Sequence, residues 1–204
     1  MAADMVNTVT SQAQSVLNTA TELGYFSHFK QYAVEMMMPW TLFAADEQII
    51  AAPDVKSKAL VLVGKAIEEV QSTLAMTRSA DVKASFIFYN VLGFWLGMSV
   101  SLVFALFGMG LVSLIWNGGI SFILAYTLYW TMTCVRTKPF MFYSLCAIAL
   151  YVAFNVYMGL QKLLLVLPAA LYFGKALCDV LLLINGYHLY KDLLAETGDE
   201  KVML

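Results

Sequence analysis

Charge is what this 204-residue chain has least of: charged residues make up 13% of it, against about 25% in an ordinary soluble domain. The deficit is concentrated. No charged residue occurs between Lys83 and Arg136. One helix over that stretch would run about 80 Å, far beyond a bilayer core of about 30 Å, so the stretch must fold back on itself. Net charge is −2, which gives non-specific nucleic-acid binding no electrostatic support. Cysteine is scarce too. Cys134, Cys146 and Cys178 are an odd set in or beside apolar segments, which argues against a disulfide framework. The two histidines, His28 and His188, take part in no His/Cys/carboxylate spacing of a metal site. No Gly-rich phosphate loop and no nucleophile elbow occurs. The expectation is a protein without catalysis, cofactor or metal.

Processing signals are equally thin. There is no Asn-x-Ser/Thr sequon, hence no glycosylation handle. The first 30 residues lack the basic start and apolar core of a cleavable signal peptide. They also contain no Arg, unlike a typical transit peptide. The first spanning helix is expected to serve as the insertion signal.

What is present is apolar: 61% of residues are hydrophobic and the mean hydropathy is +0.73. Hydrophobic periodicity predicts an all-α polytopic membrane protein, with amphipathic N-terminal helices ahead of four transmembrane helices. Residues 1–84 form a cytosolic or interfacial helical region, 85–190 the transmembrane domain and 191–204 a short acidic tail. Spans are expected at about Tyr89–Ile115, Ile120–Val135, Phe140–Leu160 and Leu165–Tyr187. Asn117-Gly118-Gly119 carries strong turn chemistry and is expected to join the first two. A break at Gly108-Met109-Gly110 is the alternative. Arg136, Lys138 and Pro139 form a short cytosolic loop, and Gln161-Lys162 is the polar break before the last span. Arg78, Lys83, Arg136, Lys138, Lys191 and Lys201 fall on one side and Lys162 on the other, so both termini are expected in the cytosol.

Three segments precede the spans. Val6, Val9, Ala13, Val16, Ala20 and Leu23 make one helical stripe, read as a partner-packing helix or as an interfacial helix sensing loose lipid packing. Gly24 is expected to end it. Residues 25–45 are dense in aromatics and methionine, from Tyr25, Phe26, Phe29, Tyr32 and Met36 to Trp40 and Phe43. Such a run is expected to pack on the membrane surface or on the following helices, a plastic binding face being the alternative. After Pro53-Asp54, the residues Ala59, Leu62, Val63, Ala66, Ile67, Val70 and Leu74 form the apolar stripe of an amphipathic helix.

Inside the spans, Gly93, Gly97, Ser101 and Ala105 recur every fourth position, as do Ala170, Gly174 and Cys178. Small residues let helices approach backbone to backbone, so these two rows are expected to pair within or between chains. Lys175 and Asp179 are four apart and share one helix face. With Asn155 they are the intramembrane polar residues, and an ion or proton path competes there with a self-neutralising pair. Cys134, at the edge of the second span, is a candidate for reversible acylation. Tyr190-Lys191-Asp192-Leu193 has the Tyr-x-x-apolar form of a sorting signal.

Trp95-Leu96-Gly97, Leu102-Val103-Phe104, Trp116-Asn117-Gly118-Gly119 and Arg136 with Pro139 together resemble the secretory carrier membrane proteins, over about 45 residues and more weakly over Tyr172–Tyr190. The resemblance implies four spans, cytosolic termini and a non-catalytic role in vesicle recycling. The family's aromatic-Arg-Pro segment is replaced by Arg136-Thr137-Lys138-Pro139, and its Asn-Pro-Phe repeats are missing from the N-terminal region. The leading expectation is a tetraspan protein of vesicle or endomembrane trafficking, working by helix packing and partner recruitment. Its partners would be the lipid bilayer and other transmembrane helices, in a homo- or hetero-oligomer. An accessory subunit of a large membrane complex, and a small channel or transporter using Lys175 and Asp179, are the alternatives.

Overall fold

The computed structural model describes residues 10–11, 14–15, 18–37, 51–75, 81–106 and 110–197. Among the described residues, after the helical residues that lead up to Gly24, come α1 (Phe29–Met37), α2 (Val55–Leu74), α3 (Val82–Phe104), α4 (Gly110–Tyr129), α5 (Lys138–Gln161) and α6 (Val166–Glu196). Among the described residues there is no strand. Four helical segments, one each on α3, α4, α5 and α6, are long and apolar enough to cross a membrane, and the chain is an integral membrane protein of all-α class. Of the first apolar stripe, Val6, Val9, Ala13 and Val16 lie outside the described residues, as do positions 38–45 of the aromatic run.

Gly24 ends the N-terminal helix. It adopts φ +76°, the left-handed conformation that glycine reaches without strain. The Gly24 amide donates to the Thr21 carbonyl and the Tyr25 amide to that of Ala20, the paired bonds of a Schellman stop. Asp54 starts α2: its carboxylate accepts from the Ser57 amide at 2.7 Å, which satisfies one of the orphan donors of a helix N-terminus. Asp81 does the same for α3 through Ala84 at 2.9 Å.

The expected turn at Asn117-Gly118-Gly119 does not form; these residues lie inside α4. Local turn chemistry loses here because a chain at membrane depth must satisfy its own backbone groups, which a continuous helix does. Gly118 serves packing instead. A Cβ at that position would come within 2.8 Å of Met98 Sδ on α3. α3 ends at Phe104 and α4 begins at Gly110, on either side of the alternative break, of which positions 108 and 109 lie outside the described residues.

Two other boundaries move. α3 begins at Val82, so residue 84 is already helical, and α6 runs on to Glu196, through the first residues of the expected acidic tail. The loop after α4 shrinks to Arg136 and Thr137, with Lys138 and Pro139 in the first turn of α5. Just ahead of it α4 widens into a π-type turn over Trp130–Val135, closed by the Arg136 amide on the Thr131 carbonyl at 3.2 Å. Arg136 sits at φ +45°, an uncommon conformation for a residue with a Cβ.

The core has two parts. One joins α3, α5 and α6 through Phe86, Tyr89, Met141, Ile148, Leu181 and Leu189, with Met132 of the π turn. The other joins α1 to α3 and α4 through Tyr32, Met36, Ile87, Val91, Tyr126 and Trp130. α5 buries only Met141, Ser144, Ile148, Asn155 and Gly159, a single stripe at three, four and seven residue spacing. Its remaining faces, with Phe142, Tyr143, Leu150, Phe154 and Tyr157, are exposed, as a lipid-facing helix requires.

Candidate functional site: a polar cluster at membrane depth

Lys175 and Asp179, on the apolar part of α6, are four apart and meet. Lys175 Nζ lies 3.2 Å from both Asp179 carboxylate oxygens. Asn155 of α5 donates its Nδ2 to Asp179 Oδ2 at 2.7 Å. Asp179 is buried, with a side chain 7% exposed against 21% for Lys175. The ammonium also lies 5.7 Å from the centre of the Tyr151 ring, within the reach of a cation–π contact. Asp179 is 13 residues from Val166 and 13 from Asp192, or about 20 Å along the helix either way. The cluster is thus deep in the bundle, and the charge of each member is answered by another.

Small residues of α3 make room for it. A Cβ on Gly93 would stand 3.6 Å from Asp179 Oδ1 and 4.0 Å from Cys178 Cβ. One on Gly97 would stand 3.5 Å from Lys175 Cε. The expected rows therefore meet only in part. Cys178 is buried against α3, while Ala170 is exposed and Gly174 has nothing within 4 Å of its Cβ position. The physical reason is drift. Four residues of an α-helix turn 400°, so each step of the row rotates about 40°, and a row facing α3 at Cys178 has left it by Ala170. Ser101 bonds back to the Gly97 carbonyl at 3.2 Å, and Ala105 closes α3 at its C-terminus.

A cavity of about 70 Å³ adjoins the cluster, lined among others by Asn90, Ser121, Tyr151, Lys175 and Asp179. That is room for about two waters, each taking roughly 30 Å³. Asn90 is a residue that sequence reasoning missed. It is 3% exposed, donates Nδ2 to the Ala125 carbonyl of α4 at 2.9 Å and accepts the Tyr32 hydroxyl of α1 at 3.1 Å. Starting the first span at Tyr89 put this amide at its edge. An asparagine inside an uncharged run was the available signal. Asn185, also buried, caps nothing between helices and bonds to the Leu181 carbonyl at 2.9 Å.

A second polar feature closes one end of the bundle. Asp81, Lys83, Thr133, Arg136 and Asp192 line a pocket of about 300 Å³, and Arg136 pairs with Glu196 at 3.1 Å. The Tyr190–Leu193 motif lies within α6, with Leu193 buried. Cys134 is half-buried in the π turn. Among the described residues no group of three or more His, Cys, Asp or Glu could hold a metal ion. No family model, no curated protein and no solved structure matches the chain.

Proposed function

We propose that this chain is a non-enzymatic tetraspan membrane protein of vesicle or endomembrane trafficking, which anchors a partner-recruiting helix at the membrane surface. The observation that carries the proposal is the open face of α2. Val70 packs against the bundle core, yet Leu60, Val63 and Ile67 remain 65%, 55% and 53% exposed. Their spacing of three and four places them on one stripe. An amphipathic helix tethered to a membrane bundle with its stripe free suits recognition in which such anchors enter a partner's groove. The excess of Lys and Arg at the end bearing Arg136 favours the cytosol for that helix and for both termini. The resemblance to secretory carrier membrane proteins points the same way.

The polar cluster supports a structural role for the intramembrane residues. Lys175, Asp179 and Asn155 satisfy one another, whereas a transport path needs polar positions that exchange partners across several broken helices. A transport reading draws on one observation, the small cavity beside Asp179.

The experiment pairs localisation of the tagged protein with affinity capture of wild type and of the triple variant Leu60→Ser, Val63→Ser, Ile67→Ser. Vesicle localisation, and cytosolic partners lost with the triple variant, are expected. Capture in fixed ratio with one large membrane assembly would favour the accessory-subunit role instead. Ion flux in liposomes abolished by Asp179→Asn would favour transport.

A further inference from the structure

We infer that α1, with the turn residues 25–28 ahead of it, is a membrane-embedded segment clamped to α3 and α4, whose Phe26–Phe29 edge faces the lipid of the leaflet on the Arg136 side. This rests on the membrane placement of the bundle and not on the trafficking role.

The clamp is made of specific bonds. Tyr32 is fully buried and its hydroxyl donates to Asn90 at 3.1 Å. Trp95 Nε1 donates to the Met36 carbonyl at 3.0 Å. The Tyr126 hydroxyl donates to the Tyr25 carbonyl, and the Tyr25 and Thr127 hydroxyls share a bond of 3.1 Å. Rings of α1 and α4 interlock around these bonds, Phe29 standing edge-on to Phe122 and Tyr126 at 5.4 and 5.2 Å.

The clamp fixes which way the helix is turned. Each residue advances 100°, so with Tyr32 towards the spans, Phe29 and Ala33 lie about 60° and 100° round, and Gln31 lies about 100° the other way. Phe26 and Phe29 are 57% and 42% exposed, and Ile123, the residue after the Phe122 that Phe29 meets, is itself 57% exposed. Ile123 belongs to a candidate membrane span, so its open face meets hydrocarbon, and the two phenylalanines continue that surface. Lys30 and Gln31 are exposed on other sides. Lys30 has a stem long enough to reach the headgroups.

The depth follows from the aromatic belt. Tyr25, Tyr32, Tyr126, Tyr129 and Trp130 gather in one layer, and such rings favour the membrane–water boundary. Arg136 is six residues beyond Trp130, or about 9 Å, which sets this layer just inside the charged end of the bundle. The remaining contacts reach further in: Phe29 meets Phe122, 14 residues or about 21 Å from Arg136, and Met36 meets Trp95 of α3, so the segment runs from this layer to acyl depth. Its partner is lipid, in one leaflet only.

The test uses the full chain with Cys134, Cys146 and Cys178 replaced, carrying an environment-sensitive fluorophore on a single cysteine, in phosphatidylcholine vesicles. A probe on Phe26→Cys is expected to be quenched several-fold more by nitroxide-bearing lipids than one on Gln31→Cys, with aqueous iodide giving the reverse order. Phe29→Cys against Lys30→Cys repeats the comparison, so that a local failure of one variant does not decide the outcome. Adding Tyr32→Phe, which removes the bond to Asn90, is expected to shrink the contrast. Equal iodide quenching at both positions with no lipid quenching would overturn the inference, and so would equal lipid quenching at both.

Discussion

Asp179 lies at a depth where an unanswered charge is costly, and its partners come from two helices. Removing one member of a buried pair leaves the other uncompensated, at about 3–5 kcal/mol. Asp179→Asn is therefore expected to lower stability by about that amount, read by denaturant unfolding in detergent. The double variant Lys175→Met, Asp179→Leu should recover most of the loss, since an apolar replacement of a buried pair is often neutral. A stable single variant would show that the pair is hydrated rather than buried. The glycines give a second residue-scale contrast. A Cβ on Gly159 would fall 2.9 to 3.1 Å from three atoms of the Phe173 ring, so Gly159→Ala should cost about 1–3 kcal/mol by overpacking. Gly119 has nothing within 4 Å of its Cβ position and lies inside α4, so Gly119→Ala should be neutral or stabilising by up to about 1 kcal/mol. Were Gly119 a turn residue, the sign would reverse. The Lys175–Asp179 pairing was legible because spacing of four on a helix fixes it. Asn155 was nameable as polar, but its bond to Asp179 depends on how α5 meets α6, which no local pattern encodes. Gly159 and Gly186 were missed for the same reason. Their close neighbours, Phe173 for one and Leu145, Met132 and Phe86 for the other, are known only once the helices are packed.

At the scale of elements, the helices were legible where one rule governs them. Gly24 stops a helix, Asp54 starts one, and apolar length defines α5 and α6. The first two spans were drawn wrongly because two rules conflicted. Asn-Gly-Gly favours a turn in water, whereas in lipid the unbroken hydrogen-bond ladder wins. α1 was expected to pack on a membrane surface or on later helices, and it packs on α3 and α4; the Asn90 and Trp95 bonds that hold it were not foreseeable from the run of aromatics alone. The start of α2 carries a pH prediction. The Ser57 amide holds the Asp54 carboxyl below its ordinary range. Its contribution is thus fully present above the usual carboxylate value and is lost as pH falls through the lowered one. Amide exchange at Ser57 and Lys58 should accelerate in Asp54→Ala at neutral pH, and in wild type, after correction for intrinsic rates, only in strong acid. An unchanged rate in Asp54→Ala would mean that the cap does not set the helix start. Substitutions on the open stripe of α2 should behave oppositely to those in the core. Leu60→Ser is expected to change stability by no more than about 0.5 kcal/mol, measured by the same unfolding transition, while removing a partner contact.

For the whole molecule the consequence is a bundle with four helices able to cross a membrane, with Asp81, Lys83, Arg136 and Asp192 gathered at one end. Its opposite end carries Gln161 and Lys162 and is otherwise apolar: Leu163, Leu164, Leu165 and Val166 are exposed, Leu164 almost completely. The most direct test labels single cysteines with a membrane-impermeant maleimide in sealed, oriented vesicles, again in the chain lacking Cys134, Cys146 and Cys178. Position 117 lies seven residues into α4, about 10 Å from its start. The arrangement predicts that Lys191→Cys labels from one face of the vesicle only, Lys162→Cys from the other face only, and Asn117→Cys from neither until detergent is added. Labelling of positions 191 and 162 from the same face, or free labelling of position 117, would contradict it.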